Sequence, residues 1–400
     1  MMSYYVSFNQ LPMKKLIPYL LFYLISNVLS GQQLDWNDAM DYPPSDAIAW
    51  RTFHGDGQVE TSIDKHDGFL RFHVNAMDDT YNAWWAIMQR PISLPTEIPS
   101  GTPLWMEAEV RSSHPMRRIN MRLYSTNQEV SDHHSNLMEF DLADTATWYK
   151  IRFSPNQLTY QKGDQLIGHF ALMDWGVNAY YLDVRNVRVF YDKDEKVNPS
   201  ANALPYHPEP KKPASFSHSV AAEDAGMIDF RYPASNLAGW GTGDTPLLSV
   251  SHELSTLLKW DLSHVNDTVD GWGLLRLAVF SSQQVPMPED EFCRLRVVEI
   301  IGGNTDWDST TLTYESLAQG QEKTQVFNEQ MVIDMFVPKG NDQVLDIPLP
   351  PNVLQRLITG RTKGLVFFPL GSLQVSFYAS ENGDSVTAPS LYFNLKNESK

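Results

Sequence analysis

The chain has 400 residues, 42% hydrophobic and 20% charged, enough for two or three domains with ordinary cores and too long for a small stapled scaffold. Its single cysteine, Cys293, excludes an internal disulfide and a multi-cysteine metal site. The formal charge of −17 repels phosphate backbones and argues against nucleic acid as a partner, while 11 Trp, 17 Tyr and 19 Phe beside 25 Pro and 22 Gly point to strands, turns and aromatic surface.

Lys14 and Lys15 precede an apolar run from Leu16 to Leu29, closed by Ser30 and Gly31. Basic, apolar and small residues in that order predict a secretory signal peptide over residues 1–31. The run is short of the roughly 20 residues that span a bilayer, so export is expected over anchoring. The mature chain is expected to be secreted, or held in a periplasm or at the cell surface, with no membrane span.

Residues 34–195 then show period-2 alternation in short segments. Strands are expected at 69–74, 83–89, 105–111, 118–124, 137–142, 148–153 and 180–190. Met106, Ala108 and Val110 mark one core face and Ile119, Met121 and Leu123 another. From 196 to 218 the apolar pattern lapses and Pro199, Pro205, Pro208, Pro210 and Pro213 appear with Lys211 and Lys212, predicting a semi-extended linker. Residues 219–400 repeat the strand pattern at 247–250, 255–261, 273–279, 293–301, 330–336, 343–347, 363–369, 375–379 and 390–395, with one short helix over 351–359. The expected fold is all-β: two antiparallel, jelly-roll-like β-sandwiches joined by the Pro-rich linker. Both halves are acidic, with 14 basic and 24 acidic residues in the first and 12 and 23 in the second.

Two resemblances sharpen this. The order Trp148-Tyr149-Lys150-Ile151-Arg152-Phe153, then Tyr180-Tyr181-Leu182-Asp183-Val184 and on to Val189, resembles the jelly-roll carbohydrate-binding modules appended to polysaccharide-degrading enzymes. That resemblance implies a structural Ca2+ with Asp183 as a ligand; the bland alternative is a strand aspartate paired with an arginine. In the second half, Asn236 and Gly239, Lys259-Trp260-Asp261-Leu262-Ser263, Trp307 with Thr310-Thr311-Leu312-Thr313, Leu345-Asp346-Ile347, Phe377 to Glu381 and Pro389-Ser390-Leu391 resemble extracellular DNRLRE-type sandwich domains, some of which are alginate-binding modules. The chain departs from that pattern in Ser309 after Asp308 and in a long Tyr314–Phe327 insertion.

Arg118, Asn120, Arg122 and Tyr124 share one strand face and form either a sugar-binding row or a cross-strand ladder with Glu107, Glu109 and Arg111. Sugars stack their CH faces on aromatic rings, and acidic sugars add pairing to arginine. Tyr81, Trp85 and Trp175 are therefore further candidates, with Trp84 and Trp85 facing opposite ways. So are Trp240 and Trp272, each flanked by glycines, although either indole equally suits a plug at the end of a sandwich. Arg111, Arg117, Arg118 and Arg122 are the densest arginine cluster. Asp78-Asp79, Asp306 with Asp308, and Asp132-His133-His134 read more simply as turn residues than as catalytic pairs. No Gly-x-Ser-x-Gly, P-loop or His-Glu-x-x-His motif is present.

The expected function is non-catalytic polysaccharide binding, for uronic-acid glycans such as alginate, with a separately encoded glycan-degrading enzyme as a partner. One alternative is a polysaccharide lyase on the concave face of the first sandwich, using Arg118, Asn120, Tyr124 and a histidine such as His114 or His134. Another is an extracellular scaffold or adhesion protein.

Overall fold

The computed structural model describes residues 35–55, 57–79, 85–93, 104–126, 137–155, 158, 164–191, 204–206, 215–239, 241–242, 245–284, 293–380 and 387–396. The signal segment, Tyr81, Trp84, Asp132, His133, His134 and Trp240 lie outside them. Among the described residues no helix is long and apolar enough to cross a membrane.

The first half contains β1 (Asp35–Asp38), β2 (Arg51–His54), β3 (Glu60–His66), β4 (Phe69–Asn75), β5 (Trp85–Ile92), β6 (Leu104–Ser112), β7 (Arg117–Ser125), β8 (Leu137–Leu142), β9 (Tyr149–Phe153), β10 (Leu166–Met173) and β11 (Ala179–Tyr191). They form two antiparallel sheets. The back sheet runs β3-β4-β11-β6-β9, with β1 also on β11. The front sheet runs β8-β7-β10-β5-β2, and a strand from the linker, β12 (Leu204–Tyr206), extends it beside β8. The linker is thus not wholly free-running: three of its residues form a sheet edge, where the missing N–H of Pro205 is tolerated.

Alternation places Leu70, Phe72 and Val74 of β4, Met106, Ala108 and Val110 of β6, and Ile119, Met121 and Leu123 of β7 in one core between the sheets. Strand β11 keeps its apolar side inward for 13 residues although its parity changes midway. Leu182 and Val184 point in, then Val187 and Val189, because a bulge at Asn186 (φ 52°) inserts one residue. Strand β10 breaks the alternation rule: it lies between β7 and β5 and is buried on both faces, so its run Leu-Ile-Gly-His-Phe-Ala-Leu carries little period-2 signal.

The second half contains β13 (His218–Ala221), β14 (Asp224–Asp229), β15 (Gly241–Thr242), β16 (Thr245–Val250), β17 (Leu254–Lys259), β18 (Gly273–Gln284), β19 (Cys293–Ile300), β20 (Phe327–Phe336), β21 (Gly340–Leu349), β22 (Gly364–Gly371), β23 (Leu373–Tyr378) and β24 (Ser390–Phe393). One sheet runs β13-β24-β18-β23-β16-β15 with β21 on β18, and the other β14-β17-β22-β19-β20. A helix spans Pro351–Ile358, as expected, with Pro351 at its first turn.

The smaller sheet is buried on both faces. Leu258, Val297, Leu295 and Phe367 join the core between the sheets, while Leu257, Val298, Ile300 and Val366 join a separate cluster with Trp307, Leu312, Leu317 and Val326. The Tyr314–Phe327 insertion, with short helices at Tyr314–Ala318 and Lys323–Val326, is therefore a cover over that outer face. Lys259 holds the cover twice, donating to the carbonyl of Trp307 and setting its ammonium 4.9 Å from the indole centroid.

The two sandwiches meet through buried polar groups. Arg356 on the helix donates from Nε and Nη2 to Glu299, each at 2.8 Å, and from Nη1 to Asp141 of β8. Arg117 donates to Asn328, whose amide in turn donates to the Met116 carbonyl and to Glu299, both at 3.3 Å. Burial pushes the Arg117 guanidinium down to about 10. At Gly176 (φ 102°) a side chain has no room, since a Cβ would stand 2.6 Å from that of Glu329.

Asp174 sits beside this junction, and burial raises its carboxyl from 3.8 to about 6, with Asp334 and Asp79 adding to the rise and Arg296 and Arg118 opposing it. The folded state therefore holds this proton more tightly than the unfolded chain. Its stabilisation is complete below pH 3.8 and is lost as pH rises through 6. Asp174→Asn, which also suits the left-handed backbone there (φ 53°), is expected to flatten that part of the stability profile. It should gain up to about 3 kcal/mol at neutral pH, and thermal melts across the interval measure it; a parent-like slope would assign the dependence elsewhere.

Candidate functional site

With Ile119, Met121 and Leu123 turned inward, β7 presents Arg118, Asn120, Arg122 and Tyr124 on the outer face of the front sheet. Register sets their neighbours. On β10, His169 stands opposite Arg122 and Ala171 opposite Asn120; on β8, Glu139 stands opposite Asn120 and Asp141 opposite Arg118. Strand β5 adds Gln89 beside His169 and Ile87 beside Ala171, and β2 adds Arg51 and Phe53. Arg51, Gln89, His169 and Arg122 thus form one row across four strands.

At the centre, the Arg122 guanidinium lies 4.4 Å from the Tyr124 ring centroid, and the Tyr124 and His169 rings meet edge-on with centroids 6.0 Å apart. His169 is 5% exposed and its Nδ1 has no hydrogen-bond partner. Burial first, and the charge of Arg122 second, push its imidazole down to about 3, so it is neutral across the physiological range. Burial also raises the Tyr124 phenol above its usual value, against the pull of Arg122. A buried nitrogen without a partner costs about 1–3 kcal/mol. Such groups are few in folded proteins and each calls for a reason.

The rim toward β2 is aromatic and open: Phe53 is 45% exposed and Trp85 is 38% exposed. The Trp85 indole lies against Gly55, where a Cβ would fall 2.3 Å from the indole Nε1. Gly55→Ala is expected to displace the ring with little loss of stability, because an exposed side chain moves more easily than backbone. Tryptophan fluorescence alongside a thermal melt checks this; an unchanged emission spectrum would contradict the packing described.

The other candidates fall elsewhere. Arg118 shares the face but turns to the second sandwich: its Nη2 donates to the Met331 carbonyl at 3.1 Å, and its backbone N–H to Gln330 Oε1 at 3.4 Å. It belongs to the junction between sandwiches. Trp175 is fully buried in the first core, its Nε1 donating to the Arg118 carbonyl at 2.6 Å, and Trp272 is buried in the second sandwich. Neither ring stands on the outer surface. Tyr81 and Trp240 lie outside the described residues.

The proposed ladder from β7 to Glu107, Glu109 and Arg111 does not form, because β6 and β7 lie in opposite sheets. Glu107 instead pairs with Lys150, Arg152 and Arg188, and Glu109 with Arg185. The four-arginine cluster is likewise divided between the back sheet (Arg111), the junction (Arg117 and Arg118) and the front face (Arg122). Asp183, fully buried, receives Arg71 Nε on Oδ1 at 2.7 Å and Arg111 Nη2 on Oδ2 at 2.7 Å. A cation there would have to displace two guanidiniums. Asp308 accepts from Thr310 and Thr311 in a turn, and His114 packs edge-on to Tyr180, off the front face. Among the described residues no three His, Cys, Asp or Glu side chains form a metal-holding group.

His169, Gln89 and Phe53 were missed as site residues. The available signal for His169 was a lone hydrogen-bonding side chain inside an apolar run.

No family model matches the chain, and no curated protein matches it. Among solved structures it is similar to carbohydrate-binding modules. One is the family 11 module of a cellulosomal cellulase of Clostridium thermocellum, 15% identical, covering 39% of this chain and 95% of that one at a TM-score of 0.27. Another is a tandem of two family 22 modules from Paenibacillus barcinonensis, 11% identical, covering 91% of this chain and 96% of that one at a TM-score of 0.26. A family 61 module in complex with β-1,4-galactotriose is 11% identical, covering 38% of this chain and 91% of that one at a TM-score of 0.23. With scores this low, the all-β sandwich class rests on the sheets described above.

Proposed function

We propose that this chain is an exported protein that binds a polysaccharide across the outer face of the front sheet, favouring uronic-acid glycans. The observation that carries this reading is the pair of exposed rings, Trp85 and Phe53, on a face that also bears Arg51, Arg122 and Tyr124. Rings of that kind stack on sugar CH faces, and a guanidinium pairs bidentately with a uronate carboxylate. The net charge of −17 opposes a polyanion at long range, but screening over about 8 Å at physiological salt leaves a local arginine effective.

Affinity electrophoresis of the full chain through gels containing alginate, polygalacturonate or neutral β-glucan tests it. Trp85→Ala is expected to weaken retardation by every glycan that binds. Arg122→Ala is expected to weaken uronate binding by about tenfold or more, the worth of a charged hydrogen bond, with little effect on neutral glycans. Unretarded migration in every gel would overturn the reading.

A further inference from the structure

We propose that the first sandwich carries a second glycan site on its opposite side, a groove over β3, β4 and β11 of the back sheet in which the Tyr181 ring stacks on a neutral sugar. This site lies apart from the front-sheet face described above, across the core from it.

Register builds the groove. Glu60 and Ser62 of β3 stand opposite Asn75 and His73 of β4, and those two stand in turn opposite Ala179 and Tyr181 of β11. Alternation turns Phe72 and Val74 of β4 and Leu182 and Val184 of β11 into the core, so the six facing residues share the solvent side of the sheet. They line an open groove of about 510 Å3, a size suited to a small ligand.

The Tyr181 ring is held ready. Asp183, fully buried, accepts from Arg71 Nε at 2.7 Å and from Arg71 Nη2 at 3.1 Å, and that guanidinium lies 3.7 Å from the Tyr181 centroid, against one face of the ring. Because Arg71 stands opposite Asp183, it lies on one side of Tyr181 along the sheet, and Ala179 lies on the other. The small side chain of Ala179 leaves the second ring face to the groove. His73 meets the ring edge-on at 6.0 Å and is tied through Nε2 to Asp64 at 2.9 Å. A ring braced in this way loses little freedom on binding, so more of its stacking energy appears as affinity. The aspartate that the sequence resemblance assigned to calcium thus positions a stacking ring.

The lining selects the sugar. Glu60 accepts hydrogen bonds, Asn75 has its Nδ2 to donate while its Oδ1 takes the Met77 N–H at 3.2 Å, and Ser62 does either; these are partners for hydroxyls. Among the described residues the lining holds no lysine or arginine, and the charges of Glu60 and nearby Asp64 repel a carboxylate. The groove therefore favours a neutral sugar, the reverse of the preference that Arg51 and Arg122 set on the front face.

Affinity electrophoresis of the full chain in gels of neutral β-glucan, xylan, galactan and alginate tests it. Tyr181→Ala is expected to lower affinity for at least one neutral glycan by about fivefold to tenfold while running as the parent does in alginate. Ala179→Tyr fills the groove from an exposed position, leaves the Arg71 brace in place and is expected to give the same loss; thermal melts check that both variants fold. In Trp85→Ala a residual neutral-glycan retardation should remain, and adding Tyr181→Ala should remove it. Parent-like retardation of both groove variants in every gel, or a parent that no neutral glycan retards, would overturn the groove and leave the front-face reading to its own result in alginate. A loss confined to Tyr181→Ala, with Ala179→Tyr parent-like, would overturn it too, since a filled groove must exclude the sugar. Neutral retardation lost in both groove variants, with Trp85→Ala parent-like in every gel, would uphold the groove and overturn the front face instead.

Discussion

Arg356→Met is expected to destabilise the protein by about 3–5 kcal/mol, the cost of removing one partner from a buried ionic network. Three donors of Arg356 are committed, two to Glu299 and one to Asp141, and Thr362 Oγ1 adds a hydrogen bond to Glu299 at 2.6 Å. Glu299 is 2% exposed, so losing the guanidinium strands a carboxylate that water cannot reach. The apolar stem of methionine replaces volume but not charge. A fall in melting temperature on the order of 10 °C is expected, and the single transition should divide as the sandwiches uncouple. Adding Glu299→Gln should restore part of the loss, because the stranded charge is then removed. A melt unchanged by Arg356→Met would mean that the network contributes nothing to holding the halves together.

Trp175→Ala is expected to cost about 3–5 kcal/mol, as for a large aromatic deleted from a packed core. The indole is fully buried, tilts against Tyr180 at 5.2 Å and donates to the Arg118 carbonyl. It precedes Gly176, the point where the first sandwich comes within touching distance of Glu329, so the cavity would also loosen the junction. Chemical denaturation measures the loss. The folded fraction should still bind glycan as the parent does, whereas Trp85→Ala should reverse the pattern, stable but weak in binding. Normal stability with lost binding in Trp175→Ala would return this residue to the list of sugar contacts.

These two tryptophans show how far the chain could be read locally. Nothing in the residues around Trp175 separates a ring on the surface from a ring under a turn; burial came from Tyr180 and the junction, both set by long-range packing. For Trp85 the local pattern went only as far as placing it opposite Trp84; the packing of Ala86 and Met88 in the core is what turns it outward. His114 and His134 were the histidines suggested for a lyase, and His169 was passed over, because a strand covered on both faces has no alternation to mark its outward positions.

Local patterning was enough for the all-β class, most strand positions, the helix at 351–358 and the sides of β6 and β7 that face a core. Each of these follows from period-2 or helical patterning within a few residues, which is a local property. Which sheet each strand joins is set by long-range packing. The 113–116 connection, with Met116 at φ 56°, carries the chain from the back sheet to the front sheet instead of closing a hairpin, and so separates arginines that are neighbours in sequence. Arg111 went to Asp183, Arg117 and Arg118 to the second sandwich, and Arg122 to a place beside His169. Those partners lie between about 45 and more than 200 residues away along the chain, or on the far side of a strand crossing, where spacing carries no information and only strand register and packing select the neighbour.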